Sequence, residues 1–359
     1  MDHQQQSGGD IAHEDAHDIA HDRQTQQAAD APAGVAAPRI TVLGSINMDL
    51  VFATPRMPAI GETLTGSGFA QVAGGKGANQ AVAAARQGAE VAFVGMVGAD
   101  GCGAAALRGL AADGIDCGAI GTADLPTGVA GILVDAAGAN SIVYVAGANG
   151  ALSVERVEAA GALIAANDWL ICQLETPLAS VARAVALARD AGVRIVFNPS
   201  PAPAALPDSL LAGIDVLVVN ETEAGQLAGM AVDDAESAAA AAAVLRSRGA
   251  AVVLVTMGAQ GVLVADGAMP RSLPALRVTA VDTTAAGDTF VGALTAALGR
   301  GAAIDEAVGE AQAAAAVSVT RMGAQSSIPT RAEMLRLRFG DAAPASPASL
   351  AAMGESATL

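Results

Sequence analysis

The stretch from Trp169 to Phe197, WLICQLETPLASVARAVALARDAGVRIVF, decides the fold class. It opens on an apolar run, Trp169–Gln173, passes through a helical stretch and closes on a second run, Arg194–Phe197. Strands that are apolar throughout are buried on both faces, and a helix between two of them is the crossover of a parallel pair. The same rhythm extends outward. Arg39–Leu43 is a short strand ending at Gly44, Gly77–Gln87 is a helix with an Ala-rich packing face, and strand Val91–Val97 follows. Downstream, Val216–Val219 and Val252–Thr256 repeat the apolar run. The expectation is an α/β fold, a mostly parallel central sheet with helices on both faces.

Two segments break the rhythm, Asp49–Gln71 and Thr127–Val145, the second with a turn near Gly138-Ala139-Asn140. Both alternate apolar with polar or small residues, which predicts antiparallel ribbons forming a small β-sheet lid over the site. Residues 1–37 carry seven acids against one arginine and no sustained apolar period, so they read as a disordered acidic tail. His13, His17 and His21 are four apart and on a helix could share a metal; the plainer reading is a solvated extension. The expected organisation is a tail over 1–37, an α/β body over 38–330 with lid strands within about 49–71 and 127–145, and a C-terminal helix with a frayed end over 331–359.

Composition narrows the function. The 359 residues include 36 acids against 19 bases, a net charge of −17 that argues against a nucleic-acid partner. Aromatics are 2% of the chain, so Ala, Val, Leu and Ile must build the core. No apolar run reaches the roughly 18–20 residues of a membrane span, and the polar start is unlike a signal peptide. A cytoplasmic protein without a membrane partner is expected. Cys102, Cys117 and Cys172 form no CxxC pair, and all four histidines lie within the first 21 residues. Chemistry in the body therefore falls to carboxylates, hydroxyls, arginines, backbone amides and Lys76, the single lysine.

Four clusters could carry that chemistry. Lys76 stands in Gly74-Gly75-Lys76-Gly77-Ala78-Asn79-Gln80, a compact charge in a backbone-lined pocket or a chance survivor at a helix start. Gly77 stands where a Walker A loop needs Ser or Thr, so that reading fails. Asp282-Thr-Thr-Ala-Ala-Gly-Asp288-Thr-Phe290 leads small residues into a helix, leaving amides free for an anion beside Asp288, which could also be an ordinary first-turn acid. Asn220-Glu221-Thr222-Glu223 ends an apolar strand, as a magnesium-organising carboxylate, a capping box, or both. Thr256-Met257-Gly258-Ala259-Gln260-Gly261 lets backbone approach a ligand or simply turns a hairpin. Gly101-Cys-Gly103-Ala-Ala-Ala106 is a degenerate dinucleotide fingerprint, a cheap match in a chain with 41 glycines.

Gly44-Ser45-Ile46-Asn47-Met48-Asp49, GGKGANQA from Gly74, NETE at Asn220 and DTTAAGDTF at Asp282 together resemble the PfkB-type carbohydrate kinase family. Within it they resemble the ribokinase branch more than fructose- or nucleoside-type members. The likeness runs from about Ile40 to Pro329 with the motifs in family order. It implies ATP-dependent phosphorylation of the D-ribose 5-hydroxyl, with Asp288 as general base and amides of Ala285, Ala286, Gly287 and Asp288 as anion hole. It implies a sugar pocket of Asn47, Asp49, Gly75, Lys76, Gly77, Ala78, Asn79 and Glu175. ATP with magnesium would lie along Asn220, Glu223, Thr256, Gly258, Gly261, Gly287 and Gln312. A potassium ion would sit by Asp282, Thr284, Ser318, Arg321, Gly323 and Ser327, several through backbone carbonyls. It further implies a homodimer through the lid sheet. The rival expectations are another pentose or a nucleoside as substrate, and a noncatalytic sugar-binding homologue.

Overall fold

The computed structural model describes residues 36–267 and 269–340. The His-rich stretch and the Ala/Pro/Ser-rich tail from Asp341 lie outside the described residues.

The small sheet contains β2 (Asn47–Ala53), β3 (Gly68–Gly74), β6 (Gly128–Val134) and β7 (Asn140–Val145). The large sheet contains β1 (Arg39–Leu43), β4 (Glu90–Gly98), β5 (Asp116–Ala123), β8 (Trp169–Cys172), β9 (Arg194–Phe197), β10 (Val216–Asn220), β11 (Val252–Thr256), β12 (Val262–Ala265) and β13 (Arg271–Leu273). Its order is β13-β12-β11-β10-β9-β8-β1-β4-β5, parallel from β11 to β5, with β12 and β13 added antiparallel. The helices are α1 (Lys76–Arg86), α2 (Gly101–Ala112), α3 (Val154–Ala159), α4 (Gly161–Ala165), α5 (Leu178–Asp190), α6 (Asp208–Leu211), α7 (Glu221–Ala228), α8 (Ala235–Ser247), α9 (Ala286–Gly299), α10 (Ile304–Ser318) and α11 (Arg331–Phe339).

Period-two alternation sorts the strand side chains into two cores. Leu43, Cys172, Phe197, Val219 and Val255 pack with Val157, Val181, Leu227 and Leu245 from α3, α5, α7 and α8. Val42, Ile171, Val196, Val218 and Leu254 point the other way, and that side is covered by α1, α9 and α10. There, small residues let backbones approach. An added Cβ at Gly292 of α9 would lie 2.4 Å from the Gln80 carbonyl oxygen and 2.5 Å from the Ala83 Cβ of α1.

The small sheet is ordered β3-β2-β6-β7. Each expected ribbon is antiparallel, but the pair that joins them, β2 with β6, is parallel from Asn47↔Gly128 to Ala53↔Val134. Three further strands, β5, β12 and β13, were not expected from the apolar pattern. The Thr256–Gly261 stretch turns the β11–β12 hairpin. Gly101–Ala106 opens α2, where the Asp100 carboxylate caps the Gly103 amide at 2.7 Å. A carboxylate there occupies the place a dinucleotide phosphate would need.

Strand order reverses between β1 and β8, since the chain leaves β1 toward β4 and leaves β8 toward β9. Sheets of this kind hold ligands beyond the carboxyl ends of the strands at that switch. Gly44–Asp49, Gln173–Glu175, Asn198, Asn220 and Thr256 all stand at those ends. Among the described residues, no helix is long and apolar enough to cross a membrane.

Candidate active site

The opening turn of α1 is built by glycine. Gly75 has φ 93°, and a Cβ on it would lie 2.8 Å from the Asn47 nitrogen and 2.9 Å from the Ser45 oxygen. That close approach brings the first turn of α1 against the Ser45–Asn47 segment. Glu175 Oε2 accepts from the Ser45 hydroxyl at 2.5 Å, the Lys76 amide at 3.1 Å and Asn47 Nδ2 at 3.4 Å. Asn149, fully buried, sets the Asn47 amide: it clamps the Ile46 backbone through both ends of its own amide and donates Nδ2 to Asn47 Oδ1 at 2.7 Å.

Asp49 lies on β2 opposite Val72 of β3, and an added Cβ at Gly74 would fall 2.4 Å from its Oδ2. Burial, with Glu175 and Asp288 as negative neighbours, pushes the Asp49 carboxyl up to about 6. Burial by itself pushes the Lys76 ammonium down, but Asp288, Glu175 and Glu223 outweigh it and hold it above its ordinary value. The lysine is thus a fixed positive charge among carboxylates.

Asp288 sits on the first turn of α9 and is buried. Its Oδ2 accepts from Asn79 Nδ2 at 3.0 Å and its Oδ1 from Gln80 Nε2 at 2.9 Å. Ala285, the N-cap, has φ 58°, the only positive φ outside glycine among the described residues. A left-handed alanine costs on the order of 1–2 kcal/mol. The helix start carries no side-chain cap, and the amides of Ala285, Gly287 and Asp288 have no protein acceptor among the described residues. The Ala286 amide is committed to the Thr283 carbonyl at 3.2 Å. A cleft of about 390 Å³ opens in front of this turn, walled by Lys76, Asn220, Glu223, Thr256, Gly258 and Ala285–Asp288. A helix dipole, free amides and an ammonium facing one cleft suit a polyanion next to a fixed carboxylate.

A family model described as pfkB family carbohydrate kinase matches residues 37–331. The chain belongs to the pfkB carbohydrate kinase family. A ribokinase of Haemophilus influenzae is 48% identical over 297 residues, which cover 82% of this chain and 97% of that protein. A deoxyribokinase of Salmonella typhi is 38% identical over 292 residues, covering 81% and 95%. Among solved structures, the ribokinase of Arabidopsis thaliana complexed with ribose and ATP aligns with a TM-score of 0.79 at 32% identity, covering 85% of this chain and 99% of that one. The central sheet and added small sheet are those of a ribokinase-like pfkB kinase.

In this pfkB kinase, several expected residues converge and several do not. Asn47, Lys76, Asn79, Glu175 and Asp288 are linked by the contacts above. Gly77 and Ala78 spend their amides on the Ser45 hydroxyl and carbonyl, so their contribution is to seat α1. Asn220 and Glu223 form the capping box, Asn220 Oδ1 accepting from the Glu223 amide at 2.8 Å, while both also wall the cleft. Gly261 packs under the Leu273 carbonyl, and Gln312 donates to that same carbonyl at 3.1 Å; neither lines the cleft.

The Asp282 loop is closed on itself. Burial pushes its carboxyl up, but the Thr284 hydroxyl and the Gly323 and Thr284 amides pull it below the usual carboxylate range. Ser318 and Ser327 donate their hydroxyls to the Ala315 and Ala324 carbonyls, and Arg321 pairs with Glu333 at 2.6 Å. The Asp282 carboxylate and the Thr284 hydroxyl are hard oxygen donors of the kind a monovalent cation takes, but the carboxylate already accepts from Thr284 and Gly323, and the Arg321 guanidinium is committed to Glu333. Among the described residues, no group of three or more His, Cys, Asp or Glu could hold a metal unaided. Magnesium carried on nucleotide phosphates would need one or two carboxylates, and Glu223 and Asp288 both wall the cleft.

Ser45, Gln80, Asn149 and Asn198 carry polar contacts that sequence reading did not single out. Gln80 was in view inside GGKGANQA, but nothing in the spacing separates an inward amide from an outward one.

Proposed function

We propose that this pfkB kinase transfers the γ-phosphoryl group of ATP to the 5-hydroxyl of D-ribose. The observation that carries the reading is Asp288, held by Asn79 and Gln80 where the uncapped start of α9 meets the cleft. Asp288 accepts the proton of the sugar alcohol as its oxygen attacks phosphorus. The amides of Gly287 and Asp288, with Lys76, stabilise charge on the transferring group. Glu175, Asn47 and Asp49 accept and donate to the ring hydroxyls. Asn79 Oδ1, buried without a protein partner, is a further acceptor for the sugar. The small sheet closes as a lid and excludes water. Glu223 would hold magnesium, which would neutralise phosphate charge, and the Asp282 loop would hold potassium, which would stiffen the anion hole. Coupled ADP release with ribose, 2-deoxyribose and other pentoses tests the substrate: a deoxyribose kcat/KM equal to or above that for ribose overturns the choice. Turnover that survives both EDTA and replacement of potassium by tetramethylammonium removes both ions.

The exposed apolar residues Ile142, Val143, Tyr144 and Val145 on the edge strand β7, with the Phe52 ring tilted against Phe69 at a centroid distance of 5.1 Å, support a homodimer through the lid sheet. Sedimentation equilibrium giving a monomer at micromolar concentration would rule that out.

The Asp49 carboxyl yields a pH prediction. An ionised carboxylate accepts sugar hydroxyls on both oxygens, and protonation removes that capacity. With its titration pushed up to about 6, ribose affinity is full above that pH and declines as pH falls through it. The limiting slope is about tenfold per pH unit below the midpoint. Calorimetric titration of ribose from pH 8 to pH 5 checks it, and a flat affinity across that range ends the role given to Asp49.

A further inference from the structure

The base does not stand alone. Behind Asp288 runs a chain of side-chain amides that reaches from the strand ends to α1 and on to α9. Asn198, at the end of β9, donates Nδ2 to the Val218 carbonyl at 2.9 Å, so its oxygen must face the other way. That oxygen accepts from Gln80 Nε2 at 3.1 Å, and the same nitrogen donates to Asp288 Oδ1 at 2.9 Å. Gln80 Oε1 accepts from Gln173 Nε2 at 2.6 Å. Gln80 and Gln173 are fully buried, and Asn198 is nearly so.

Each amide in the chain has one orientation consistent with its neighbours. A backbone carbonyl cannot donate, so Val218 fixes Asn198, Asn198 fixes Gln80, and Gln80 can present only N–H to Asp288. Gln173 reinforces the same sense from the far side: turned over, its oxygen would oppose the Gln80 oxygen. It keeps this orientation although its own oxygen then finds no protein partner. The chain is anchored on β8, β9 and β10, the rigid elements of the sheet, whereas the carboxylate it serves is on a helix start next to a left-handed residue.

We infer that Gln80 is a positioning residue for the phosphoryl-transfer step, an amide polarised by Asn198 and Gln173 that aims the Asp288 carboxylate at the acceptor hydroxyl. The inference rests on Asp288 being the base. Asn79 holds the other carboxylate oxygen; Gln80, fully buried and absent from the cleft wall, acts only through Asp288. A base released from one of its two donors rotates out of line with the alcohol, while the groups that bind ribose stay in place.

Gln80→Met keeps the volume and removes the donor. The expected result is a kcat lower by about 10–100-fold, the cost of misplacing a reacting group by up to an ångström, with KM for ribose and for ATP within threefold of the parent. Gln173→Met, one step further back, lowers kcat less and in the same direction. In an Asp288→Asn background, Gln80→Met causes no additional loss, because the amide has no base left to aim. A purely structural Gln80 predicts the opposite pattern: KM rises with the fall in kcat, and the two losses multiply. Either that pattern or an unchanged kcat in a folded, ribose-binding Gln80→Met enzyme overturns the inference. If Asp288→Asn itself turns over near the parent rate, the base assignment falls first; if it is inactive while Gln80→Met is fully active, only the amide chain does.

Discussion

Asp288→Asn lowers kcat by about 10²–10⁴, the usual worth of a general base, while ribose still binds. Asparagine keeps the size of the side chain and one acceptor oxygen, so Asn79 or Gln80 retains a partner and the α9 start keeps its shape. What disappears is the capacity to take a proton from the attacking alcohol. In the proposed binding mode ribose affinity rests on Glu175, Asn47 and Asp49, which are held by Ser45, the Lys76 amide, Asn149 and the β2–β3 pairing, none of which involves residue 288. A split between kcat and ribose affinity is therefore the signature. Single-turnover phosphorylation with calorimetric ribose binding on the same preparation measures it. Turnover within a fewfold of the parent would remove Asp288 from the mechanism and, with it, the reason for ascribing kinase chemistry to this cleft. The same variant relieves Asp49 of one of its negative neighbours, so the pH at which ribose affinity declines moves down.

Much of this arrangement is legible in the residues alone, for a physical reason. A buried parallel strand needs apolar side chains on both faces, so β8, β9, β10 and β11 announce themselves as unbroken runs. The helix starts at Gly75 and Ala285 are legible because backbone that approaches another chain or a phosphate must be glycine or alanine, and such clusters are conspicuous. The parallel pairing of β2 with β6 is a different matter. Those strands lie far apart in sequence, β2 ending at Ala53 and β6 beginning at Gly128, and nothing local states which edge a ribbon will find. β5 was missed because Asp116–Ala123 is half-exposed and interrupted by glycines, so it has neither an apolar run nor clean alternation. Gln80, Asn149 and Asn198 escaped for the deepest reason: a buried amide matters through its orientation, and orientation is set by partners on other elements. Residues 79 and 80 are neighbours in sequence yet reach opposite oxygens of one carboxylate, which only the packing of α1 on α9 arranges.

That packing is where the second large effect is expected. Gly292→Ala adds a single carbon on α9, placed 2.4 Å from the Gln80 carbonyl oxygen, 2.5 Å from the Ala83 Cβ and 2.8 Å from the Ala84 nitrogen. Backbone atoms cannot swing aside as a flexible side chain can, so the helices must separate. Overpacking of this kind costs about 1–3 kcal/mol, against a gain of roughly 0.5–1 kcal/mol for alanine over glycine in a helix; the clash prevails and Tm falls. The catalytic loss is larger. α1 carries Asn79 and Gln80, α9 carries Asp288, and their contacts at 3.0 and 2.9 Å tolerate little displacement. A shift approaching an ångström would lower kcat by about 10²-fold, although residue 292 does not itself line the cleft. Gly109→Ala on α2, where an added Cβ meets nothing within 4 Å, is the matched control and should raise Tm slightly without touching turnover. Thermal melts and kcat measured for both variants decide the matter. A Gly292→Ala enzyme with parental Tm and parental kcat would show that the α1–α9 contact yields freely, and that the base is aligned by something other than the helix pair.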